Sequence, residues 1–372
     1  MTNKETFYFT GKCLTLDEHP EFREEIIDLI ATGSIDWEKF VVLWSNHLIL
    51  PVIYLKFKSL GIIEHLPNEL REYLKEVYDL NLERNNQILK QLKEVTTILN
   101  KGNIYPVFLK GAAHLLNGLY SDIGERMMGD IDFLVPEKDY LPSAKLLMNE
   151  GYSTDGPCYG DIESLKHYPG LLKAGAPAHL EIHRLPVSED YQSWFSAQII
   201  DKEKKTVPTL EGCFVLSAKH SIIHNFIHSQ LGHSGHVFGI VSFRDIYDLY
   251  LLSKRSEIQE ALLNIKTRQK AIAYFTFADK AFGLSGKFYP TRNLFSRIFE
   301  KKHDLNLNSK AFYLTHRTII YIYQRIIIGY TSQIIKSFYS KKMRQSVIYR
   351  LTNRQWYIDS FHSYISFFSR KG

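Results

Sequence analysis

Residues 107–135 read VFLKGAAHLLNGLYSDIGERMMGDIDFLV, and this stretch decides the fold. It predicts a short apolar strand, a turn into a helix, and a second strand that begins at Asp130. Alternation along that strand puts Asp130 and Asp132 on the same face. Two adjacent carboxylates repel each other, and a divalent cation between them removes the repulsion. An Asp-x-Asp pattern alone is more often a solvated strand end, so the flanking sequence has to show whether these two residues bind a metal ion.

A third strand is expected downstream, where His179-Leu180-Glu181-Ile182-His183 alternates between polar and apolar residues. This alternation puts Glu181 on one face together with the two histidines. If this strand lies beside the Asp130–Asp132 strand, its carboxylate joins the two aspartates. We therefore expect one small mixed sheet whose central strands are residues 107–109, 130–135 and 179–183.

Helical periodicity dominates the chain on both sides of these strands. Before residue 104, apolar residues recur at three- and four-residue steps, and Pro51 is expected to split one of the segments. After residue 209, the residues 210–235 and 237–252 are predicted to be helices. The polar, Gly- and Pro-containing residues 152–177 predict a loop.

Composition narrows the class of protein. A hydrophobic fraction of 45% in 372 residues is that of a globular chain with one large or two ordinary domains, which argues against disorder. The three cysteines, Cys13, Cys158 and Cys213, are widely spaced and form no metal-ligand pair. We interpret this scatter, together with an N-terminus that lacks a signal-peptide pattern, as typical of a reducing cytoplasm.

Charge is distributed unevenly along the chain. Residues 291–372 hold 15 Lys or Arg and 3 Asp or Glu, a net charge of +12, whereas the whole chain carries +6. Residues 1–290 therefore carry −6, and the C-terminal fifth is expected to have a different partner from the rest. Its mixture of basic and aromatic residues suits RNA or an anionic membrane surface, but a solvated face over an aromatic core has the same composition.

Five short motifs occur in the same order and at compatible spacings in one known family. They are Leu109-Lys110-Gly111, Leu119-Tyr120, Arg126-x-x-Gly129-Asp130-Ile131-Asp132, Glu150-Gly151-Tyr152 and Glu181-Ile182-His183. Over roughly residues 20 to 255 the chain resembles the bacterial uncharacterised nucleotidyltransferase family, part of the nucleotidyltransferase superfamily. Each motif alone is weak, whereas the ordered set is fairly specific.

The resemblance implies an α+β fold in which a small mixed β-sheet nucleotidyltransferase core is flanked by helical regions. The expected regions are an N-terminal helical region at residues 1–103 and the catalytic core at residues 104–208. They are followed by a helical region that completes the cleft, residues 209–290, and a basic, aromatic-rich helical C-terminal region, residues 291–372.

The resemblance also implies transfer of a nucleoside monophosphate group, AMP from ATP in the simplest case, to a hydroxyl group. Asp130, Asp132 and Glu181 would be the catalytic residues and would hold Mg²⁺ or Mn²⁺, and Glu181 would serve as base or as ligand of a second metal ion. Lys110, Gly111 and Arg126 would bind the triphosphate of ATP or another NTP. Superfamily members usually have Gly-Ser at this turn, but here Ala112 follows Lys110-Gly111. Lys110 can equally pair with Asp130 as a structural partner.

Several functional alternatives stay open at this point. The hydroxyl acceptor is a small molecule, a peptide, a protein or RNA. A toxin that modifies tRNA or a host protein uses the same chemistry, and a nucleotide-binding module that has lost turnover keeps the same fold. His220, His224 and His228 recur every four residues and so share a helix face, where they form a polar seam or pack structurally rather than bind zinc. Arg244, Asp245 and Asp248 give the following helix a charged face, either near the active site or as an intrahelical pair.

Overall fold

The computed structural model describes residues 1–154 and 162–369, so Cys158 and part of the predicted loop at 152–177 lie outside the described residues. The chain divides into two compact units, Met1–Ser309 and Lys310–Gly372. The first unit contains the sheet and the helices that flank it, in agreement with the predicted α+β class. The second unit is helical throughout its described part.

The first unit opens with five helices. They are α1 Asn3–Leu14, α2 Glu21–Ala31, α3 Trp37–Asn46, α4 Leu50–Ser59 and α5 Asn68–Lys101. Pro51 splits the apolar segment as predicted and lies in the first turn of α4, where its missing N–H is not needed for a helical hydrogen bond. The side chains of Phe40, Trp44 and Phe57 are fully buried among these helices.

Helix α5 has 34 residues, and two parts of it pack against different surroundings. Towards its C-terminus, Leu92, Val95 and Leu99 are buried against the sheet. Its middle part buries polar residues instead, among them Asn81 and Asn85, whereas Leu80 is exposed. At this turn the buried side of the helix faces the backbone of a loop rather than apolar side chains, so the apolar periodicity expected before residue 104 does not hold for Leu80.

Seven short strands form one mixed sheet in the order β3-β4-β5-β2-β1-β7-β6. The strands are β1 Val107–Phe108, β2 Asp130–Leu134, β3 Ser153–Thr154, β4 Leu171–Leu172, β5 His179–His183, β6 Lys205–Thr206 and β7 Phe214–Val215. Strand β2 runs antiparallel to β1 and parallel to β5, and β1 runs parallel to β7. The predicted neighbourhood of the three central strands is confirmed.

Helices α6 Lys110–Leu116, α7 Tyr140–Asn149 and α8 Ala197–Glu203 connect these strands. Ile131, Phe133, Leu180 and Ile182 alternate along β2 and β5 and are fully buried in the core between the sheet and its helices. The polar residues that alternate with them are thereby held on the opposite face of the sheet. Within the predicted loop at 152–177, two strands form instead: β3 at the edge of the sheet, and β4 between β3 and β5.

The rest of the first unit is helical, with two corrections to the prediction. Residues 214–215, predicted as helix, form β7, and α9 Ala218–Phe226 begins only after Ser217, whose side chain accepts a hydrogen bond from the His220 N–H. A π-helical turn, Ile227–Gly232, follows α9. Gly239 has a φ of +67° and ends α10, so 237–252 is not one helix. The later helices are α10 Gly235–Phe238, α11 Phe243–Ser253, α12 Ile258–Leu263, α13 Arg268–Ala281 and α14 Leu294–Asn308.

The second unit consists of α15 Lys310–Ile322, a π-helical stretch Tyr323–Tyr330, α16 Thr331–Tyr339, α17 Lys341–Thr352 and α18 Arg354–Ser369. In the described part of the chain, no helix is both long enough and apolar enough to cross a bilayer.

Glu125, in the loop between α6 and β2, makes the stability of the first unit depend on pH. The residue is only 8% exposed, and burial raises the pKa of its carboxyl to about 7. The folded state therefore holds the proton more tightly than the unfolded state. Stability falls as pH rises from the ordinary value of 4.5 to about 7 and is constant above that.

Glu125→Gln removes this dependence, because the amide cannot ionise. Relative to the wild type, the variant is expected to gain about 2–3 kcal/mol at roughly pH 8 and nothing at roughly pH 4. Urea unfolding across a pH series measures this difference. A gain of equal size at both pH values would show that the ionisation of Glu125 is not the cause.

Candidate active site

The carboxylates predicted to be catalytic come from the two parallel central strands. Asp132 of β2 lies opposite Glu181 of β5, and Asp130 lies opposite His179. All four residues alternate with buried apolar residues, so their side chains share the polar face of the sheet. Asp130, Asp132 and Glu181 line one cleft of about 430 Å³, which is within the size range of nucleotide and cofactor sites.

Asp132 is the most enclosed of the three acids. Its Oδ1 accepts a hydrogen bond from Lys110 Nζ at 2.6 Å and lies 2.9 Å from His183 Nε2. Burial alone would raise the pKa of Asp132, but the Lys110 charge and the His183 hydrogen bond outweigh it and hold the pKa well below the usual range. Asp132 is therefore ionised whenever the protein is folded near neutral pH.

One group in the described part of the chain brings metal-ligating atoms within 4.8 Å of one another, and it consists of Asp132, Glu181 and His183. His183 Nε2 also lies 3.4 Å from a Glu181 oxygen. His183 belongs to the Glu-x-His motif, but the sequence did not distinguish its role from that of His179. The structure brings His183 into contact with both acids and leaves His179 exposed.

Asp130, the remaining predicted ligand, is exposed and lies outside this group of three. Its pKa is raised, first by its partial burial in the cleft and then by the negative charges of Glu181 and Asp132. Three carboxylates that face one cleft repel one another in the absence of a cation, and this repulsion is the second cause of the raised pKa.

Helix α5 positions the strand that carries these acids. Asn81 Nδ2 donates to the Gly124 carbonyl at 2.7 Å, and Asn85 Nδ2 donates to the Arg126 carbonyl at 2.9 Å. Arg84 donates to the carbonyls of Met128, Gly129 and Pro177, which lie just before β2 and β5. The polar middle of α5 therefore fixes the backbone from which Asp130 and Asp132 project.

Lys110 and Gly111 form the turn that enters the cleft. Lys110 has a φ of +50°, an uncommon conformation for a residue with a side chain, and its ammonium group pairs with Asp132 rather than with Asp130. A Cβ on Gly111 would lie 2.7 Å from Arg126 Nη1 and 3.1 Å from Met128 Cβ. Gly111 is therefore required for close packing against Arg126, a reason that differs from the predicted approach to phosphate.

Arg126, which is predicted to bind the triphosphate, lines the cleft but already has a charged partner inside the protein. Its Nε and Nη2 donate to the two oxygens of Asp248 at 2.9 and 2.7 Å, and the residue is only 5% exposed. Tyr120 Oη donates to the same carboxylate at 2.6 Å. Burial would raise the pKa of Asp248, but Arg126 outweighs it and lowers this pKa to about 2. This ion pair joins the loop before β2 to α11 and gives Arg126 a structural role, and its contact with triphosphate stays a prediction.

The cleft also contains other cationic and imidazole side chains, and the sequence gave no role to three of them, Lys166, His167 and His233. Lys166, His167, His228, His233 and Arg244 line it together with Lys110. Within residues 1–154 and 162–369, Lys166 forms no ion pair, and burial followed by the Lys110 charge lowers its pKa. No recognisable motif surrounds Lys166, so no signal in the sequence pointed to it.

The histidine series of α9 does not act as one set. His220 packs edge-on against the ring of Phe195, His224 Nε2 contacts the Pro186 carbonyl, and His228 Nε2 lies 3.0 Å from His233 Nε2. His224 and His228 reach the cleft, whereas His220 is not among its lining residues. Asp245, predicted to pair with Arg244, has its Oδ1 3.7 Å from Arg244 Nε.

Comparison with known families agrees with this geometry. The profile of a family described as uncharacterised nucleotidyltransferase matches residues 33–290, which include every cleft residue named above. The comparison with curated proteins gives no significant match.

Proposed function

Because the chain belongs to the uncharacterised nucleotidyltransferase family, we propose that it transfers a nucleoside monophosphate group from an NTP to the hydroxyl group of an acceptor. ATP is the simplest donor. The observation that supports this proposal most is the convergence of Asp130, Asp132 and Glu181 in a cleft that also holds Lys110 and Lys166. Carboxylates suit divalent cations and ammonium groups suit phosphate, so one cleft offers both requirements of a metal–nucleotide complex.

The residues present fit Mg²⁺ or Mn²⁺. Three carboxylates in one cleft are the oxygen-rich donor set these ions prefer, and the charges of Glu181 and Asp132 contribute, after desolvation, to the raised pKa of Asp130. Asp130, Asp132 and Glu181 would hold the ion, and His183 would orient Asp132. When bound, the metal neutralises charge on the triphosphate and makes the acceptor hydroxyl easier to deprotonate.

Lys110 is suited to change partners on ligand binding. Its ammonium group donates a hydrogen bond to Asp132 Oδ1, an oxygen that a divalent cation would also need as a ligand. If a divalent cation bound Asp132, it would replace the charge of Lys110 there, and the ammonium group would be able to pair with phosphate in the same cleft. The positive φ of Lys110 holds this side chain at the entrance of α6 in either case.

Lys166 provides a test of phosphate binding that is separate from the carboxylates. Lys166→Ala is expected to raise the dissociation constant for Mg²⁺·ATP roughly tenfold, because it removes one charge-assisted contact. Its thermal stability is expected to stay the same or rise, since the variant also removes a like charge next to Lys110. Isothermal titration calorimetry measures the affinity.

Lys173→Ala is the matched control, because Lys173 pairs with Glu94 and does not line the cleft. This variant should bind nucleotide like the wild type. Equal affinities of the Lys166→Ala and Lys173→Ala proteins would exclude Lys166 from the phosphate site.

The acceptor is identified by mass spectrometry. Candidate small molecules, peptides, proteins and tRNA are incubated with each of the four NTPs and Mg²⁺ or Mn²⁺, with the Asp132→Asn protein as the negative control. A mass gain of one nucleoside monophosphate that needs Asp132 names both donor and acceptor. A gain on tRNA or on a foreign protein would favour the toxin alternative. Nucleotide binding without a mass gain on any acceptor would favour a binding module without turnover.

A further inference from the structure

The second unit comprises residues 310–372. None of its residues with a described burial is buried. Its helices α15 to α18 nevertheless carry many large apolar side chains. Among the residues whose burial is described, these side chains are not buried in a core. Exposed apolar surface on this scale marks a binding surface.

The amount of exposed apolar surface in this unit is disproportionate. The described residues include 26 exposed large hydrophobic side chains, and 14 of them lie in this unit, which is about a sixth of the chain. Eight of the 14 are aliphatic: Leu314, Ile319, Ile322, Ile334, Ile335, Ile348, Leu351 and Ile358. The other six are aromatic: Tyr323, Phe338, Tyr339, Tyr349, Tyr357 and Phe361.

Helix α16 separates its apolar and polar sides most clearly. Ile334, Ile335, Phe338 and Tyr339 follow one another around one side of the helix and are 51–89% exposed. Helix α17 packs on the other side, where Arg350 Nη1 donates to Gln333 Oε1 at 2.6 Å. The neighbouring helix is therefore held by polar contacts, and it leaves the apolar side of α16 uncovered within this unit.

The charge of the unit complements an anionic surface. Residues 310–372 contain 11 Lys or Arg and a single acid, Asp359, which gives a net charge of +10. One carboxylate cannot neutralise this charge within the unit. Lys336 lies on the polar side of α16, and Lys341 and Arg344 follow on α17, so basic groups border the exposed apolar side chains.

We propose that the second unit binds the surface of a bilayer that contains anionic lipids. Helices with an apolar side and a basic side lie in the plane of such a surface, with the apolar side chains among the acyl chains and the cations at the headgroups. The eight aliphatic side chains decide against RNA, because they gain free energy in a bilayer but have no stacking or charge interaction with bases and phosphates. The unit would lie on the membrane rather than cross it, in keeping with the absence of a membrane-spanning helix among the described residues.

The test uses the full chain and vesicle sedimentation. Vesicles of phosphatidylcholine alone are compared with vesicles that also contain phosphatidylglycerol, and single-stranded RNA serves as a second polyanion. We expect the wild type to prefer the anionic vesicles and to bind less at high salt. The double variant Ile335→Ser, Phe338→Ser is expected to bind them roughly a hundredfold more weakly, since each exposed apolar side chain contributes about tenfold. Its affinity for RNA should not change.

Leu263→Ser is the matched control, because Leu263 is a 76% exposed leucine on α12 of the first unit. This variant should bind vesicles like the wild type. Thermal melts should show both variants folded, since all three substituted side chains are exposed. Equal vesicle binding by the wild type and the double variant, or equal binding of the wild type to neutral and anionic vesicles, would overturn the proposal. Vesicle binding is measured without nucleotidyl transfer, so this experiment tests the membrane proposal independently of the proposed enzymatic function.

Discussion

Asp132→Asn is expected to lower the rate of nucleotidyl transfer by about a thousandfold, because it removes the most enclosed of the charges that would hold the metal. It is also expected to lower stability, since Lys110 and His183 both lose an anionic partner. Asp130→Asn and Glu181→Gln should lower the rate to a similar extent. For Asp130→Asn, stability near neutral pH should rise slightly, because the carboxylate with the raised pKa no longer repels its neighbours.

Rates are measured by mass spectrometry or by pyrophosphate release, and stability by thermal melts with and without Mg²⁺·ATP. The wild type should gain stability with ligand by an amount set by the ligand concentration and the dissociation constant. The three variants should lose that gain, whereas the surface variant Asp190→Asn should keep both the rate and the gain. A wild-type protein whose melting temperature does not shift with any nucleotide and metal would argue against nucleotidyltransferase activity.

Arg126→Ala and Asp248→Ala are each expected to destabilise the protein by about 3–5 kcal/mol, because each leaves the other charge buried without its partner. The triphosphate-binding role predicted from the sequence leads to a different expectation, in which Arg126→Ala mainly weakens nucleotide binding. The double variant Arg126→Met, Asp248→Leu should be more stable than either alanine variant, since neither buried charge is left. Urea unfolding followed by circular dichroism measures all three proteins.

Arg244→Ala is the control for this series, because Arg244 has only a distant contact with Asp245 and is partly exposed. It should change stability by less than about 1 kcal/mol. Arg126→Ala and Asp248→Ala variants as stable as the control, but with weakened binding of Mg²⁺·ATP, would restore the triphosphate role of Arg126.

The central sheet was predictable because its determinants are local. Alternation along β2 and β5 shows which side chains share a face, and the order of short motifs indicates the family. The two-residue strand β7 was missed, because Phe214 and Val215 are too few to show a period and lie directly before a helix. The predicted regions 1–103, 104–208, 209–290 and 291–372 stay predictions.

The polar supports of the site were not predictable, for a different reason. Asn81, Asn85 and Arg84 occupy helix positions that resemble a solvated face, and only the folded chain shows that backbone carbonyls fill that space. Asp248 lies 122 residues after Arg126, so no local pattern links the two. Helical periodicity indicates which side of a helix is apolar, but it does not indicate which polar groups pair with one another in the interior.

The parallel pairing of the sheet also determines when the protein becomes active during synthesis. Val107 pairs with Phe214, and Arg126 pairs with Asp248, so the cleft depends on contacts between distant parts of the chain. About two thirds of the chain must leave the ribosome before Asp248 is available. A nascent chain that already exposes Asp130, Asp132 and Glu181 is therefore expected to be inactive. The basic second unit emerges after the first unit, so the membrane contact we propose would form only after the first unit has been made.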